Sequence, residues 1–245
     1  MTQSTHIQRD GDRDRPLLLD LFCCAGGAAV GYERAGFAVE GVDIIDRSAR
    51  YPYPFRQGDA LTVLAELTET GEIRRYAAAH ASPPCQAGCA LTVGTNRSQG
   101  WGGDHVDLIA PTRALLDASG LPYVIEQPDG KADVRKDISL CGEMFGLGVL
   151  RHRNFELGGW TTAKPKHVRH RGYVRGWRHG VYRDGPYVAA YGSGGGKATV
   201  AEMQQAMGIT WTDVREELTE AIPPTFTEWL GSALLARLGS LAVAA

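Results

Sequence analysis

The sequence has little that would indicate a secreted, disulfide-rich or membrane protein. Its 245 residues include only five cysteines, an odd number, and no two of them form a C-x-x-C pair. This count fits no disulfide framework, argues against zinc and favours a reducing, cytoplasmic setting. No segment is long and apolar enough to be predicted as a membrane span. Residues 1–15 are polar, lack the apolar stretch of a signal peptide and are expected to form a disordered tail.

Net charge is also small, at -2. The molecule as a whole therefore does not attract nucleic acid, and any such binding must come from a local patch. One candidate patch is the segment 164–183, which carries seven Lys or Arg residues, no acid and the aromatic residues Tyr173, Trp177 and Tyr182. Basic side chains contact phosphates and aromatic rings stack on bases, although the segment could also be a plain exposed loop. The candidate DNA contacts are Lys164, Lys166, Arg169, Arg171, Arg175 and Arg178.

Two common nucleotide-binding motifs are missing. There is no glycine-rich loop ending in Gly-Lys-Ser/Thr, and Cys24 stands where the G-x-G-x-x-G fingerprint needs a glycine. A glycine pair, Gly26 and Gly27, nevertheless follows an apolar run, and Asp43 follows the next run. Ligands bind beyond the carboxyl ends of strands in open α/β sheets, where such an acid can accept bonds from ribose hydroxyls. The pattern predicts a nucleoside-type cofactor. It does not distinguish among NAD, FAD and S-adenosylmethionine, which are all bound in this way.

Strand-like and helix-like segments alternate through the first half of the chain. This alternation predicts an α/β fold with a doubly wound, mostly parallel sheet. The rhythm is lost after residue 157 and resumes at Thr199, where Thr199 and Glu202 have the spacing of a capping box. The expected organisation is a tail (1–15), a catalytic and cofactor-binding core (16–157), a small basic insert (158–198) and C-terminal helices that complete the core (199–245).

The segment Ser82-Pro83-Pro84-Cys85-Gln86 holds a cysteine after two prolines, at the end of a predicted strand. Proline restricts the backbone and removes amide donors, so this turn is expected to be stiff. A thiol fixed in this way is a candidate nucleophile. The alternative is that Cys85 is simply a small buried residue.

Five motifs in order resemble those of the cytosine-C5 methyltransferases. Residues 20–27 (DLFCCAGG) resemble the family's D-L-F-x-G-x-G-G cofactor loop, and residues 82–86 resemble its P-C-Q nucleophile loop. Residues 124–127 (VIEQ) resemble its E-N-V strand, 151–153 (RHR) its arginine pair and 221–224 (AIPP) its closing segment. The compact layout looks most like small phage-encoded members. The departures are Cys24, Gln127-Pro128, Val149 and Glu220.

The resemblance implies a Rossmann-like class I S-adenosylmethionine-dependent methyltransferase. It implies methyl transfer to C5 of a cytosine flipped out of double-stranded DNA, without a metal. We expect a monomer in the cytoplasm, of a bacterial host if the chain is phage-encoded. A short insert predicts a short or relaxed target site. Three alternatives stay open: the same chemistry on RNA, transfer of a larger alkyl group such as carboxymethyl, and a catalytically inactive DNA-binding protein.

The resemblance also implies residue roles. Cys85 would attack C6, and Glu126, its pKa raised by burial, would hydrogen-bond or protonate N3. Arg153 would contact O2, Arg151 would lie near Cys85 and the phosphates, and Gln86 would contact DNA. Among the cofactor contacts, Phe22 would face the adenine or methionine part, Asp43 the ribose and Asp59 the adenine amino group. The full cofactor set is Asp20, Phe22, Cys23, Ala25, Gly26, Gly27, Asp43, Ile44, Asp59, Ala60, Pro83 and Glu220.

Overall fold

The computed structural model describes residues 15–84, 107–130, 133–178, 180–191 and 198–244. The residues predicted to form the nucleophile and its loop, from Cys85 to Asp104, lie outside these ranges, as do residues 1–14 of the predicted tail. Arg15, assigned to that tail, belongs instead to the fold. Its guanidinium donates to Glu33 O at 2.8 Å and to Gly36 O at 3.1 Å.

A seven-stranded sheet forms the centre of the molecule, in the order β3-β2-β1-β4-β5-β7-β6. The first five strands are parallel, and β7 runs antiparallel to both β5 and β6. The strands are β1 (Leu17–Leu21), β2 (Ala38–Asp43), β3 (Phe55–Gln57), β4 (Ala78–Ala81), β5 (Tyr123–Pro128), β6 (Ile138–Leu140) and β7 (Arg153–Gly158). The mostly parallel sheet confirms the predicted fold class.

Six α-helices are present in the described part of the chain. They are α1 (Gly27–Ala35), α2 (Ala60–Thr70), α3 (Ile109–Ser119), α4 (Val200–Met207), α5 (Arg215–Glu220) and α6 (Pro224–Ala244). Gly36 ends α1 in the left-handed conformation, and Thr199 with Glu202 forms the predicted capping box at the start of α4. No helix of the described residues could cross a membrane.

Alternate residues of each central strand pack on opposite faces of the sheet, as the two-residue strand period requires. Leu18 packs in a cluster with Tyr32 of α1 and Phe226 of α6. Leu19 and Leu21 pack in the opposite cluster, which includes residues of α2 and α3. Helices therefore cover both faces, and the carboxyl ends of β1, β2, β4 and β5 meet at one edge.

The insert contributes a two-stranded hairpin of its own, β8 (Gly176–Arg178) and β9 (Val181–Arg183). Beyond Gly158, the described residues of the insert form no other strand. Two strands had no counterpart in the sequence-based predictions: β6 and β7. The domain boundaries remain predictions.

Candidate functional site

The loop between β1 and α1 has an unusual backbone. Phe22 and Cys24 have positive φ angles of 58° and 46°, a conformation that non-glycine residues rarely adopt. Gly26 follows at φ 82°. A Cβ on Gly27 would lie 2.4 Å from Ile222 O, so the loop needs glycine there to pack against the 221–224 segment. Such strain persists only where the surrounding structure holds it, and it is common at binding sites.

Asp43, at the end of β2, fixes this loop from the neighbouring strand. Its Oδ2 accepts from Cys24 N and its Oδ1 from Ile45 N, both at 2.9 Å. Each carboxylate oxygen keeps a further lone pair for a ligand. The next residue, Ile44, is 67% exposed, which is unusual for isoleucine and offers an apolar face beside the carboxylate. This pairing suits a ribose next to a flat purine ring.

Asp20 lies deeper than the sequence analysis expected. It is only 1% exposed, and Tyr51 Oη donates to its Oδ2 at 3.1 Å. Burial raises the pKa of Asp20 to about 7, although the Tyr51 bond opposes the rise. Among the described residues, no group bonds to its Oδ1. The buried carboxyl group therefore lies beneath the β1–α1 loop and does not face the open edge of the sheet.

The remaining predicted cofactor residues divide into exposed and buried groups. Asp59 is exposed and caps α2, accepting from Thr62 N at 2.9 Å. Glu220 is exposed, and Cys24 Sγ donates to its Oε2 at 3.8 Å, which brings the end of α5 to the cofactor loop. Ala25 O accepts from Trp211 Nε1 at 2.7 Å, a contact that no motif indicated. Cys23 and Ala60 are buried.

The thiols of the loop are poor nucleophiles in this setting. Burial raises the pKa of Cys24 to about 12, and the nearby Arg47 only partly offsets it. Burial also raises the pKa of Cys23, with a further rise from Asp20 and Asp43. Neither thiol therefore competes with Cys85 for a nucleophilic role.

The proline turn that precedes Cys85 is held by a buried side chain. Gln127, on β5, is fully buried and donates from Nε2 to Pro83 O at 2.7 Å. On the same turn, His80 Nε2 lies 2.9 Å from Ser82 Oγ. His80 is completely buried, and this burial lowers its pKa to about 3, so its imidazole stays neutral. The turn is thus fixed by two buried polar contacts.

Glu126 and Arg153 form an ion pair beside this turn. Arg153 Nε lies 2.7 Å from Glu126 Oε1, and the two side chains are 13% and 7% exposed. Glu126 is on β5 and Arg153 begins β7, so the antiparallel strand that the sequence analysis missed delivers the arginine. The structure brings these two predicted catalytic residues together.

Arg151 is bonded to the backbone of two other segments of the chain. Its guanidinium donates to Ala190 O at 2.5 Å and to Thr219 O at 2.7 Å. Its φ angle is 35°, again in the left-handed region. These bonds tie the insert and the end of α5 to the core. The prediction that Arg151 lies near Cys85 and the substrate phosphates stays a prediction, because Cys85 lies outside the described residues.

The basic insert is less open than its sequence implies. Arg171 Nε pairs with Glu143 Oε1 at 2.8 Å, and Arg175 pairs with Glu202, so two predicted DNA contacts are already bonded to acids. Lys164 Nζ donates to Lys136 O at 3.3 Å. Lys166 and Arg169 are exposed, and the backbone of Arg178 belongs to β8.

Aromatic rings are the more accessible feature of the insert. Trp177 is 68% exposed, Tyr173 62% and Tyr182 53%. Trp177 and Tyr182 face each other across the β8–β9 hairpin, with ring centroids 5.7 Å apart. Exposed rings on one small hairpin form a stacking surface of the kind that binds unpaired bases.

Comparisons with solved structures identify the fold of this chain. Scans against protein-family models and curated proteins found no match. Among solved structures, this chain is similar to a Spodoptera frugiperda DNMT2 mutant, with a TM-score of 0.60 and 11% identity over 90% of this chain and 99% of that one. Entamoeba histolytica methyltransferase EhMeth gives a TM-score of 0.53 and 11% identity over 92% and 99%.

A third structure is a putative DNA modification methyltransferase encoded within an E. coli prophage. It gives a TM-score of 0.35 and 19% identity over 58% of this chain and 46% of that one, so the chain spans about half its length. A TM-score this low does not indicate a shared fold. The first two show that the chain has the same Rossmann-like class I fold as these two methyltransferases.

Proposed function

We propose that this protein transfers a methyl group from S-adenosylmethionine to C5 of cytosine in double-stranded DNA. The observation that carries the proposal is the buried Glu126–Arg153 pair beside the proline turn that leads to Cys85. A carboxyl group and a guanidinium side by side match the adjacent N3 and O2 atoms on one edge of a cytosine ring. The fold and the glycine-rich loop support the choice of cofactor.

The residues at the sheet edge fit this cofactor. Asp43 would accept bonds from the ribose, exposed Ile44 would cover one adenine face, and the Gly26-Gly27 backbone would allow close approach. Asp59 would lie at the adenine amino group. When bound, the cofactor supplies an electrophilic methyl group, so the protein must only make C5 nucleophilic and orient it.

We assign the nucleophilic role to Cys85, which lies outside the described residues. Its thiolate would form a bond to C6 of a flipped cytosine, and the electron pair of the C5–C6 double bond would move toward C5 and the N3 side of the ring. Glu126 would stabilise this charge at N3 and Arg153 would do so at O2. After methylation, the C5 proton leaves and the C6–sulfur bond breaks, which returns the thiolate.

The positions of the supporting residues give each a task. Gln127 would hold the Pro83-Pro84 turn so that Cys85 meets the base at a constant angle. Arg151 would act as a positioning residue, since its guanidinium is bonded to backbone carbonyls. The exposed rings of Trp177 and Tyr182 would stack on bases disturbed by the flip.

A covalent trap tests the proposal. A duplex library with random sequence and 5-fluorocytosine in place of cytosine is incubated with the protein and S-adenosylmethionine. Because the C5 fluorine cannot leave as a proton does, the Cys85–C6 bond should persist and appear as a protein–DNA adduct by denaturing electrophoresis and mass spectrometry. Cys85→Ala should abolish the adduct, and Cys89→Ala, the other thiol of that segment, should retain it.

The arms of the experiment separate the alternatives. A single-stranded RNA library with 5-fluorocytidine that traps the protein, while DNA does not, would replace DNA by RNA as the substrate. The mass of the adduct identifies the transferred group as methyl or a larger alkyl. If neither library yields an adduct while calorimetry shows that S-adenosylmethionine binds, the catalytic proposal is wrong.

A further inference from the structure

Four potential metal ligands converge on the side of the molecule where the insert meets the core. They are Cys141, His152, His167 and His170, and their ligand atoms all lie within 4.8 Å of one another. Cys141 Sγ is 3.4 Å from His170 Nε2, and His152 Nε2 is 3.3 Å from His167 Nε2. We refer to these four residues as the Cys-His₃ cluster.

The two shortest of these distances fit a tetrahedral metal centre. With zinc–nitrogen bonds near 2.0 Å and a zinc–sulfur bond near 2.3 Å, neighbouring ligand atoms are about 3.3 Å apart for two nitrogens and about 3.5 Å apart for nitrogen and sulfur. Both close pairs of the cluster match these values. Ring stacking alone does not require such short distances between ligand atoms, because stacked imidazoles can pack with their nitrogen atoms pointing apart.

The four residues come from three separate parts of the chain. Cys141 follows β6, His152 immediately precedes β7, and His167 and His170 belong to the insert. The imidazoles pack against one another, with centroids 5.0 to 5.5 Å apart for each pair. A shared cation would accept the nitrogen lone pairs of all three imidazoles.

We propose that the Cys-His₃ cluster binds one zinc ion. One thiolate and three neutral imidazoles are ligands that zinc accepts, and four protein ligands leave no open position, which is the mark of a structural centre. On binding, the Cys141 thiol loses its proton to solvent and sulfur exchanges its present contact with Leu150 O, at 3.1 Å, for a bond to the metal. The site has no part in the chemistry assigned to Cys85.

The charges around the cluster suit such a centre. Zinc with one thiolate and three neutral imidazoles carries a net charge of +1. Glu143, next to the cluster, accepts bonds from Arg171 and Tyr187, and Tyr187 contacts the His170 ring at a centroid distance of 6.4 Å. Asp129 lies close enough to His152 to interact electrostatically with it. Each of these acids also pairs with a cation, Glu143 with Arg171 and Asp129 with Lys136, so they offset only part of the added positive charge.

A zinc ion here would fasten the insert to the catalytic edge of the core. His152 lies between Arg151 and Arg153, so a bond to its imidazole restricts the backbone that delivers Arg153 to Glu126. The absence of C-x-x-C pairs led the sequence analysis to expect no zinc. That expectation counted cysteine spacings only, and the cluster uses a single cysteine.

Metal content is the first test. The full-length protein, purified without chelators or a polyhistidine tag, should contain one zinc per chain by inductively coupled plasma mass spectrometry. Cys141→Ala and His167→Ala should lose it. His167→Cys, which preserves four ligands as Cys₂His₂, should retain zinc, and Cys24→Ser should retain it as a thiol control outside the cluster. Retention of stoichiometric zinc by both alanine variants would overturn the proposal.

Cobalt substitution keeps the test independent of whether the variants fold. The wild-type protein, stripped of metal and titrated with Co²⁺ alone, should develop a thiolate-to-cobalt charge-transfer band and the visible bands of tetrahedral cobalt, and Zn²⁺ should abolish both. Absence of zinc from the purified protein, together with absence of these bands, would refute the site. Neither readout depends on methyl transfer, so a failure here is distinguishable from failure of the fluorocytosine trap.

Discussion

Arg153 Nε is 2.7 Å from Glu126 Oε1, and the two residues sit diagonally across an antiparallel strand pair. In the register of β5 and β7, Arg153 is opposite Pro128, two residues along the strand from Glu126. Diagonal neighbours on one face are close enough for long side chains to touch. The pair therefore depends on β7 running antiparallel to an otherwise parallel sheet.

Separating this pair should affect both turnover and stability. Glu126→Gln keeps the side-chain shape but removes the ionisable group, and we expect methyl transfer to fall by about 10²- to 10⁴-fold, as for loss of a general acid. Arg153→Met removes the guanidinium from the buried Glu126 carboxyl group and should lower the free energy of unfolding by about 3–5 kcal/mol. Transfer of labelled methyl groups and denaturant unfolding measure the two effects.

The double variant shows whether the residues act together. If they do, Glu126→Gln combined with Arg153→Met should be less destabilised than the sum of the single changes, because the charge that Arg153 offsets is gone. Additive losses would mean that the ion pair contributes nothing specific.

Gln127 should matter for turnover through the position of the proline turn. Gln127→Leu removes the bond to Pro83 O and should cost about 1–3 kcal/mol of stability. We expect kcat to fall while KM for the nucleic acid changes little, since the turn carries Cys85 and not the binding surface.

Gln204→Leu is a suitable control, because Gln204 makes the same type of amide bond, to Thr212 O at 2.8 Å, far along the chain in α4. This variant should lose stability but keep its kcat. Equal losses of kcat in the two variants would show that general destabilisation, and not the turn, is responsible.

Asp20 should make stability depend on pH. Its pKa in the folded protein is about 7, above the ordinary value of 3.8, so the folded state binds more protons than the unfolded state between these values. The free energy of unfolding should therefore fall as pH rises from about 4 to about 7, by up to about 4 kcal/mol, and level off above.

Asp20→Asn should flatten this profile in urea titrations of the protein without cofactor. The matched control is Asp59→Asn, an exposed N-cap where asparagine serves equally well, and its profile should follow that of the wild type. A steep fall that survives in Asp20→Asn would assign the dependence to another group.

Substitutions at two residues of the insert should distinguish the contribution of ring stacking to nucleic-acid binding from the contribution of charge. Trp177→Ala removes an exposed ring and should weaken binding by about 1–3 kcal/mol without changing its salt dependence. Lys166→Ala removes an exposed charge and should reduce the slope of log K against log salt by about 1. Fluorescence anisotropy at several salt concentrations distinguishes them, and unchanged binding in both variants would exclude this surface.

The sequence predicted the parts of the fold that depend on local chemistry. Gly36 ends α1 because only a residue tolerant of positive φ can stop the helix there, and Thr199 opens α4 through a reciprocal cap. Strands β1 and β4 were also predictable, because both faces are buried and the segments are apolar except for Asp20 and His80. For each of these elements, residues close by in the sequence determine the local structure.

Strand β7 was missed because its pattern depends on distant partners. Its Glu156 is completely buried, a position where a sequence pattern predicts an apolar residue. Arg113 from α3 and Arg135 compensate it, with Arg113 Nε 2.7 Å from Glu156 Oε1. Likewise, the ligands of the Cys-His₃ cluster span residues 141–170, and no spacing rule connects them.

The packing of α6 against α1 has a consequence for how the protein is made. Phe226, Leu230 and Leu234 cover Tyr32 and the β1 side of the sheet, yet ribosomes synthesise these residues after all seven sheet strands. The apolar face of α1 thus remains open to water and to chaperones during most of translation. Folding of the cofactor loop at Gly27, which rests on Ile222, must wait for the same late segment.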